Sequence, residues 1–426
     1  MTGAPGLNQK RPVGALQLLA LGVNGIVGVG IFFAPATVAK QAPGLANVLV
    51  FAFTGLALLP VALAFAVLGR RFDEDGGPVV FARAAFGDFA SFLVGWVAYV
   101  SAFLSASAVM VGLTNATAPS FGLTSPLALR LAATALVTIL ALVVASGISI
   151  SARVWTTLTV LKLLPLLALL AVFLAFRGAP ASPSALGGSE VSWLRAGLTV
   201  MFAYQGFEIV PVIAGQVRSS AKAIPVATVG SLILSMALYV GLVWVCVTAL
   251  PNLAGAGAPL AEAAGVYGGP DFSRLVGVGT SVSALGIALG MMVTTPRYLS
   301  ALASGERVLF DLDRLAPNGV PMRALIVTWA LVTAFVQAGD LGELFALSSI
   351  AVLMQYGVTA ASLVVLARRG DRGLRPGHAW LALPTLALGI ALVAFGATLR
   401  EVLVAGGAVL MGLGLTRLAR PRTRPA

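Results

Sequence analysis

Two ionisable residues, Lys162 and Glu208, stand inside stretches that otherwise carry almost no charge, and two glycine-marked segments interrupt similar stretches. The first is Gly25-Ile26-Val27-Gly28-Val29-Gly30-Ile31-Phe32. The second is Phe202-Ala203-Tyr204-Gln205-Gly206-Phe207-Glu208, with Pro211 soon after. Glycine weakens a helix by about 1 kcal/mol relative to alanine and frees backbone groups that lipid cannot satisfy. Unwound backbone at membrane depth is tolerated only around a protein-lined cavity. A helix restarting near Ile31 would point its first amides and positive dipole end into that cavity, an arrangement suited to a carboxylate. Ile26, Val27, Gly28, Val29, Gly30 and Ile31 are therefore candidate ligand-binding residues, with Phe202, Ala203, Tyr204, Gly206 and Phe207 from the second segment. Close helix packing at small residues is the alternative reading of the same glycines.

Lys162 lies about ten residues into its apolar stretch, too deep to snorkel to the surface, so it must find internal acceptors or give up its proton. It is a candidate coupling residue, the alternative being a fixed donor to backbone carbonyls. Glu208 is the second candidate, either as a carboxylate that exchanges a proton and biases its helix or as a permanently hydrogen-bonded tie. No other acid lies within a span, so a cationic ligand side chain would lack a counter-ion, and a neutral or apolar ligand fits better. The single cysteine, Cys246, and the single histidine, His378, offer neither a disulfide nor a metal set. No cofactor, metal or catalytic residue is expected.

These residues need long apolar elements to position them. The chain of 426 residues is 59% hydrophobic and 10% charged, with 48 glycines, far more apolar than the ~45–50% of soluble domains. Apolar stretches fall at 14–39, 44–69, 89–113, 127–148, 154–176, 196–215, 225–250, 275–296, 324–339, 344–367, 379–399 and 402–416. Each approaches the roughly 20 residues needed to cross a bilayer. The sequence thus predicts an all-α polytopic membrane protein of about twelve transmembrane helices, forming one domain over 1–426 with no appended soluble part. The connections at 178–192 and 251–270, rich in Pro, Gly and Ser, read as external loops. Of the 27 Lys and Arg, most fall on the side of the N-terminus, which predicts both termini in the cytoplasm of a multi-pass cell-membrane protein. The net charge of +12 is accounted for by that bias and by contact with the lipid bilayer, so no nucleic-acid partner is expected.

The residues resemble the amino acid–polyamine–organocation (APC) superfamily of permeases. The likeness is carried by GVNGIVGVGIF at 22–32, by FAYQGFE at 202–208 with AGQVRSSAKAIPVA at 214–227, and by RRFDEDGGPVVFARAAFGDF at 70–89 as a loop ending in Phe-Gly. The sequence departs from the pattern at Gln216 for Glu, Ser220 for Pro, Asp73 for a loop proline, Val79 for a loop tyrosine, and Ser304-Gly305-Glu306 for Arg-Asp-Gly. The resemblance implies a LeuT-like 5+5 inverted repeat with broken helices 1 and 6. Residues 14–176 would form the first repeat, 196–367 the second, and 379–416 helices 11 and 12. It also implies that Lys162 puts its ammonium where sodium-coupled relatives bind the ion, touching unwound helix 1 and a helix 8 hydroxyl, Ser281 or Ser283.

The expected function is a secondary active transporter of neutral or apolar amino acids, working by alternating access, independent of sodium and open to proton coupling. An exchanger or exporter of the same fold and a non-transporting nutrient sensor are the alternatives. The expected setting is a bacterial inner membrane, as monomer or homodimer. Tyr99, Ser101, Ser105, Tyr204, Ser348, Ser349 and Tyr356 are possible pocket residues on helices 3, 6 and 10, left unranked against ordinary packing roles.

Overall fold

The computed structural model describes residues 13–72, 74–147, 152–176, 191–217, 219–303, 307–308, 311–371, 373–418 and 420–421. Asp73, Arg218, Ser304, Gly305, Glu306, most of the 178–192 connection and the tail beyond residue 421 lie outside the described residues.

The described residues are almost all helical, apart from connections and one short antiparallel pair, Arg307–Val308 with Arg420–Pro421. The helices are α1 (Ala15–Ile26), α2 (Val29–Ala39), α3 (Leu45–Ala57), α4 (Leu59–Arg71), α5 (Pro78–Phe86), α6 (Asp88–Thr117), α7 (Pro126–Ala145), α8 (Ala152–Phe176), α9 (Trp193–Tyr204), α10 (Ser220–Ala249), α11 (Pro259–Ala303), α12 (Met322–Ala338), α13 (Leu341–Arg368), α14 (Ala382–Ala391) and α15 (Leu399–Leu418). A 3-10 segment, Phe207–Gln216, separates α9 from α10. Among the described residues, nine helical stretches are long and apolar enough to cross a membrane, and Lys162–Ala175 and Met322–Ala338 form two shorter apolar helices. Large apolar side chains such as Leu142, Ile390, Phe395 and Leu403 point outward and are exposed. A band of this kind suits acyl chains and not water. The interior is filled by aromatic and aliphatic side chains, with Tyr99, Tyr204, Tyr239, Tyr356, Phe51, Phe65 and Phe207 fully buried.

Several elements differ from the sequence expectation. The 44–69 stretch is divided at Leu58 into α3 and α4, because Pro60 in the first turn of α4 has no amide to continue the ladder. The 70–89 segment contains a helix, α5, held between Gly77 at φ 51° and Gly87 at φ 87°, backbone conformations that favour glycine. The 251–270 connection is not a loop throughout. From Pro259 it is helical, with Glu262 accepting from the Ala258 amide at 3.0 Å, until Gly269 at φ 81° turns the chain into the long remainder of α11. Its run of Ala and Leu after a first-turn proline supplies the helix propensity that the surrounding Pro and Gly conceal. The 379–399 stretch is α14 followed by a π turn at Leu392–Gly396.

One end of the molecule is closed by backbone pairing around the 3-10 segment. Val13 bridges Val217, the Val13 amide donates to the Gln216 carbonyl at 3.3 Å, and the Gly76 amide donates to the Val212 carbonyl at 2.8 Å. The α4 end is fixed by Arg71, which holds Asp371 at 2.7 Å.

Candidate functional site

The chain unwinds between α1 and α2 at Val27 (ψ 95°) and Gly28 (φ −140°, ψ −154°). A helix that stops inside a protein leaves carbonyls on one side of the gap and amides on the other. The carbonyls here are taken. Lys162 Nζ donates to Asn24 O at 2.7 Å and to Val27 O at 2.5 Å, and the Tyr239 hydroxyl of α10 donates to Ile26 O at 2.8 Å. The amides of Val29, Gly30 and Ile31 form the first turn of α2, where no preceding carbonyl of that helix can reach them. The break therefore presents donors on one side only, which favours an anionic group there.

Lys162 is 4% exposed, and among the described residues no carboxylate forms an ion pair with it. Gly279 of α11 packs on Pro165, and Ile287, one turn beyond Ser283, reaches Gly28 of the break. Among the described residues the buried Ser283 hydroxyl has no hydrogen-bond partner, whereas Ser281 lines a 360 Å³ cavity with Thr117, Phe121 and Leu285. Of the two hydroxyls open in the sequence, Ser283 is the one placed toward the break. No Lys162–Ser283 hydrogen bond occurs among the described residues.

The second break lies between α9 and the 3-10 segment. Gln205 is extended (φ −62°, ψ 145°), and Gly206 at φ 128° takes a conformation that a side chain would strain. Glu208 turns back on this break, its Oε2 accepting from the Gly206 amide at 2.8 Å and from the Tyr356 hydroxyl of α13 at 3.0 Å. Glu208 thus ties the restarting segment both to its own first turn and to α13. It does not pair with Lys162.

The two breaks touch. A Cβ on Gly206 would collide with Gly25, and a Cβ on Gly30 would collide with the backbone of Ala203. Gly25 and Gly30 are therefore contact glycines of the close-packing kind. Gly28 differs, since a Cβ there would meet only Ile26 O and Ile287 Cδ1, both at 3.7 Å. Of these two candidate glycines, Gly30 lies in close contact with Ala203 and Gly28 does not. The side chains of Ile26, Val27, Val29, Ile31, Phe202, Ala203, Tyr204 and Phe207 are all buried. Tyr204 donates to Phe51 O at 3.0 Å and packs on Tyr239, and Phe207 packs on Phe65 and Tyr356. What these residues leave for a ligand is backbone, above all at Gly28 to Ile31.

Three features of the structure were not singled out in the sequence, the first two of them at the breaks. Tyr239 caps the helix 1 carbonyls. Gln205 meets a group of serines on α6 and α13: its Oε1 accepts from Ser348 at 3.2 Å, its Nε2 donates to Ser349 at 3.4 Å, and Ser348 pairs with Ser105 at 2.7 Å. A polar residue inside the FAYQGFE run is the signal that could have marked it. Finally, Arg195 at the start of α9 holds Glu401 of α15 through both nitrogens, at 2.6 and 2.8 Å. Glu401 is 1% exposed.

Gln216, which replaces the glutamate of the resembling family, donates its Nε2 to Asp75 Oδ2 at 3.0 Å, while Asp75 Oδ1 accepts from the Gly215 amide at 3.0 Å. A glutamate in this geometry would set two carboxylates against each other, so the amide is the side chain that fits beside Asp75. Among the described residues there is no group of three or more His, Cys, Asp or Glu able to hold a metal ion.

Comparison with known proteins gives a consistent pattern. Residues 13–407 match the amino acid permease family. An uncharacterized transporter of Mycobacterium tuberculosis is 30% identical over 95% of this chain and 90% of its own length. The branched-chain amino acid permease of Bacillus subtilis is 26% identical over 84% of this chain and 79% of its own. A cationic amino acid transporter of Mus musculus is 26% identical over 88% of this chain and 62% of its own.

Proposed function

The chain belongs to the amino acid permease family of the APC superfamily, and on that premise we propose that it is a secondary active transporter of neutral amino acids working by alternating access around the Val27-Gly28 and Gln205-Gly206 breaks. The observation that carries this reading is the one-sidedness of the helix 1 break. Its Asn24, Ile26 and Val27 carbonyls are occupied by Lys162 and Tyr239, while the amides of Val29 to Ile31 open the first turn of α2. A substrate carboxylate would bind those amides. Gly28, with room beside it, lets the substrate backbone approach.

Unwound carbonyls of this kind are where a permease would coordinate a sodium ion. Lys162 already neutralises them, so transport is sodium-independent, and Glu208 and Lys162 are the groups available for coupling to protons. In this reading twelve spans form one membrane domain, with 14–176 and 196–367 as inverted repeats and 379–416 as helices 11 and 12. Both termini lie in the cytoplasm of a bacterial cell membrane, and the end closed around Val13, Asp75 and Gln216 is the inner one.

The test is counterflow of the common amino acids in proteoliposomes, with and without a pH gradient. Saturable exchange of neutral amino acids, equal in sodium and choline media, is expected. Absence of exchange for every amino acid would remove the reading.

A further inference from the structure

Away from the breaks, the connection between α13 and α14 folds against the end of α4. Arg71 holds Asp371 at 2.7 Å, and Arg70 Nη2 donates to the Gly373 carbonyl at 3.4 Å. His378, in the 3-10 turn Pro376–Leu381 that leads into α14, is within electrostatic reach of both Arg70 and Arg375. Its Nδ1 accepts from the Arg375 amide at 3.0 Å, so the neutral ring carries its proton on Nε2. That proton has no acceptor among the described residues. Two guanidiniums and one imidazole therefore gather their donors where α4 meets the connection.

The cluster lacks a compensating acid. Beyond Arg70 and Arg71, the neighbouring end of α13 adds Arg368 and Arg369, and α14 carries no charged residue. Asp371 is the one acid among the described residues of these elements, and Arg71 donates to its Oδ1 from both Nε and Nη2, at 3.1 and 2.7 Å. Among the described residues neither Arg70 nor Arg375 forms an ion pair, and both are exposed. Like charges gathered in this way repel one another, and an anion placed among them removes the repulsion. The depth of the cluster is marked by Trp380, which is 72% exposed. With Leu383 and Ile390, also exposed, it forms one outward stripe at helical spacing along α14. A tryptophan at the end of such a stripe belongs at the headgroup level of a bilayer. Arg375 and His378 thus stand at the level of lipid phosphates, beside a face that acyl chains cover.

We infer that Arg70, Arg375 and His378 together bind the phosphate of one anionic phospholipid, whose acyl chains lie along Trp380, Leu383 and Ile390. Arginine suits a phosphate because its planar fork donates in pairs, and His378 Nε2 adds a further donor. The bound phosphate joins α4 to the connection between α13 and α14. A zwitterionic headgroup would bring its own cation into a cluster that has no acid to receive it, so phosphatidylglycerol is favoured over phosphatidylcholine. The inference needs the membrane setting of the family and is independent of which solute the protein carries.

Native mass spectrometry of the detergent-purified full chain counts the lipids that stay bound. The wild type should retain phosphatidylglycerol in preference to phosphatidylcholine. Each basic residue near an anionic lipid contributes about a factor of five, so the double variant Arg70→Gln with Arg375→Gln should bind phosphatidylglycerol roughly twentyfold more weakly. Arg297→Gln with Arg314→Gln removes the same charge from two other exposed positions and should leave that binding unchanged. A reading without any variant comes from His378, the only histidine of the chain, followed by imidazole NMR in protein carrying a histidine-free tag. Its signals should move when phosphatidylglycerol is added and stay in place with phosphatidylcholine. Equal weakening in the two double variants, or His378 signals indifferent to phosphatidylglycerol, overturns the inference. Signals that move as far with free glycerol phosphate as with the lipid overturn it as well, since the cluster would then hold soluble anions.

Discussion

Lys162 donates to the carbonyl of Val27 at 2.5 Å, joining residues 135 positions apart. With the second bond to Asn24 at 2.7 Å, one ammonium replaces the hydrogen bonds that α1 loses where it stops. A buried charge without an acid partner is stabilised here by carbonyl dipoles, and the helix end is stabilised by the charge, so each depends on the other.

Lys162→Ala should therefore reduce uptake strongly at every pH, because the Asn24 and Val27 carbonyls lose their donor. Uptake by the wild type should be unchanged when choline replaces sodium. A loss of at least about tenfold is expected for the variant, since an unsatisfied buried polar group costs roughly 1–3 kcal/mol. Restoration of Lys162→Ala activity by sodium would show that the carbonyls form an ion site that the lysine fills.

The two glycines of α2 and its N-terminal junction should respond differently. Gly30→Val forces α2 away from Ala203 and should lower thermal stability in detergent by an amount comparable to overpacking a core, about 1–3 kcal/mol. Gly28→Val puts its Cβ in ordinary van der Waals contact with Ile26 O and Ile287 Cδ1 at an extended backbone conformation, so the protein should keep its melting temperature and lose substrate binding. Thermal melts with and without ligand separate the two effects. Normal ligand stabilisation in Gly28→Val would move the site away from the helix 1 break.

The breaks were legible in the sequence because their cause is local: three glycines within six residues, and a Gly and a Glu within one turn of a long apolar stretch. The same local signal did not say which glycine is a contact and which is a cleft. That depends on Ala203 and Gly206 arriving opposite Gly30 and Gly25, a matter of how distant helices register. Lys162 was marked by its charge, but Tyr239 was not, since a tyrosine in an apolar span carries no sign of what its hydroxyl will reach. The α5 helix and the helical start at Pro259 were hidden by flanking Gly and Pro, which mark turns and helix ends alike.

Arg195 and Glu401 make the best-buried ion pair among the described residues, and the Thr398 amide also donates to Glu401 Oε2 at 2.8 Å. Removing one partner strands the other. Glu401→Ala should lower stability by about 3–5 kcal/mol, and replacing both residues with leucine should cost less than that single change. Unfolding of the single and double variants in mild detergent measures this, and additive losses would mean that the pair contributes no coupling.

Glu208 Oε2 accepts from both the Gly206 amide and the Tyr356 hydroxyl of α13, so in the proposed reading a change in its protonation would bear on the 3-10 segment and on α13 together. A glutamine can accept both bonds through its carbonyl oxygen, so Glu208→Gln should keep the geometry of the break and a substantial transport rate. It cannot gain or lose a proton. If Glu208 is the coupling group, the variant should lose most of the acid-range pH dependence of uptake while exchange at fixed pH continues. Tyr356→Phe removes one of the two donors and leaves the carboxylate, so its pH profile should shift along the pH axis without flattening. A Glu208→Gln profile identical to wild type would make Glu208 a structural tie between helix 6 and α13, and any proton coupling would then belong to Lys162.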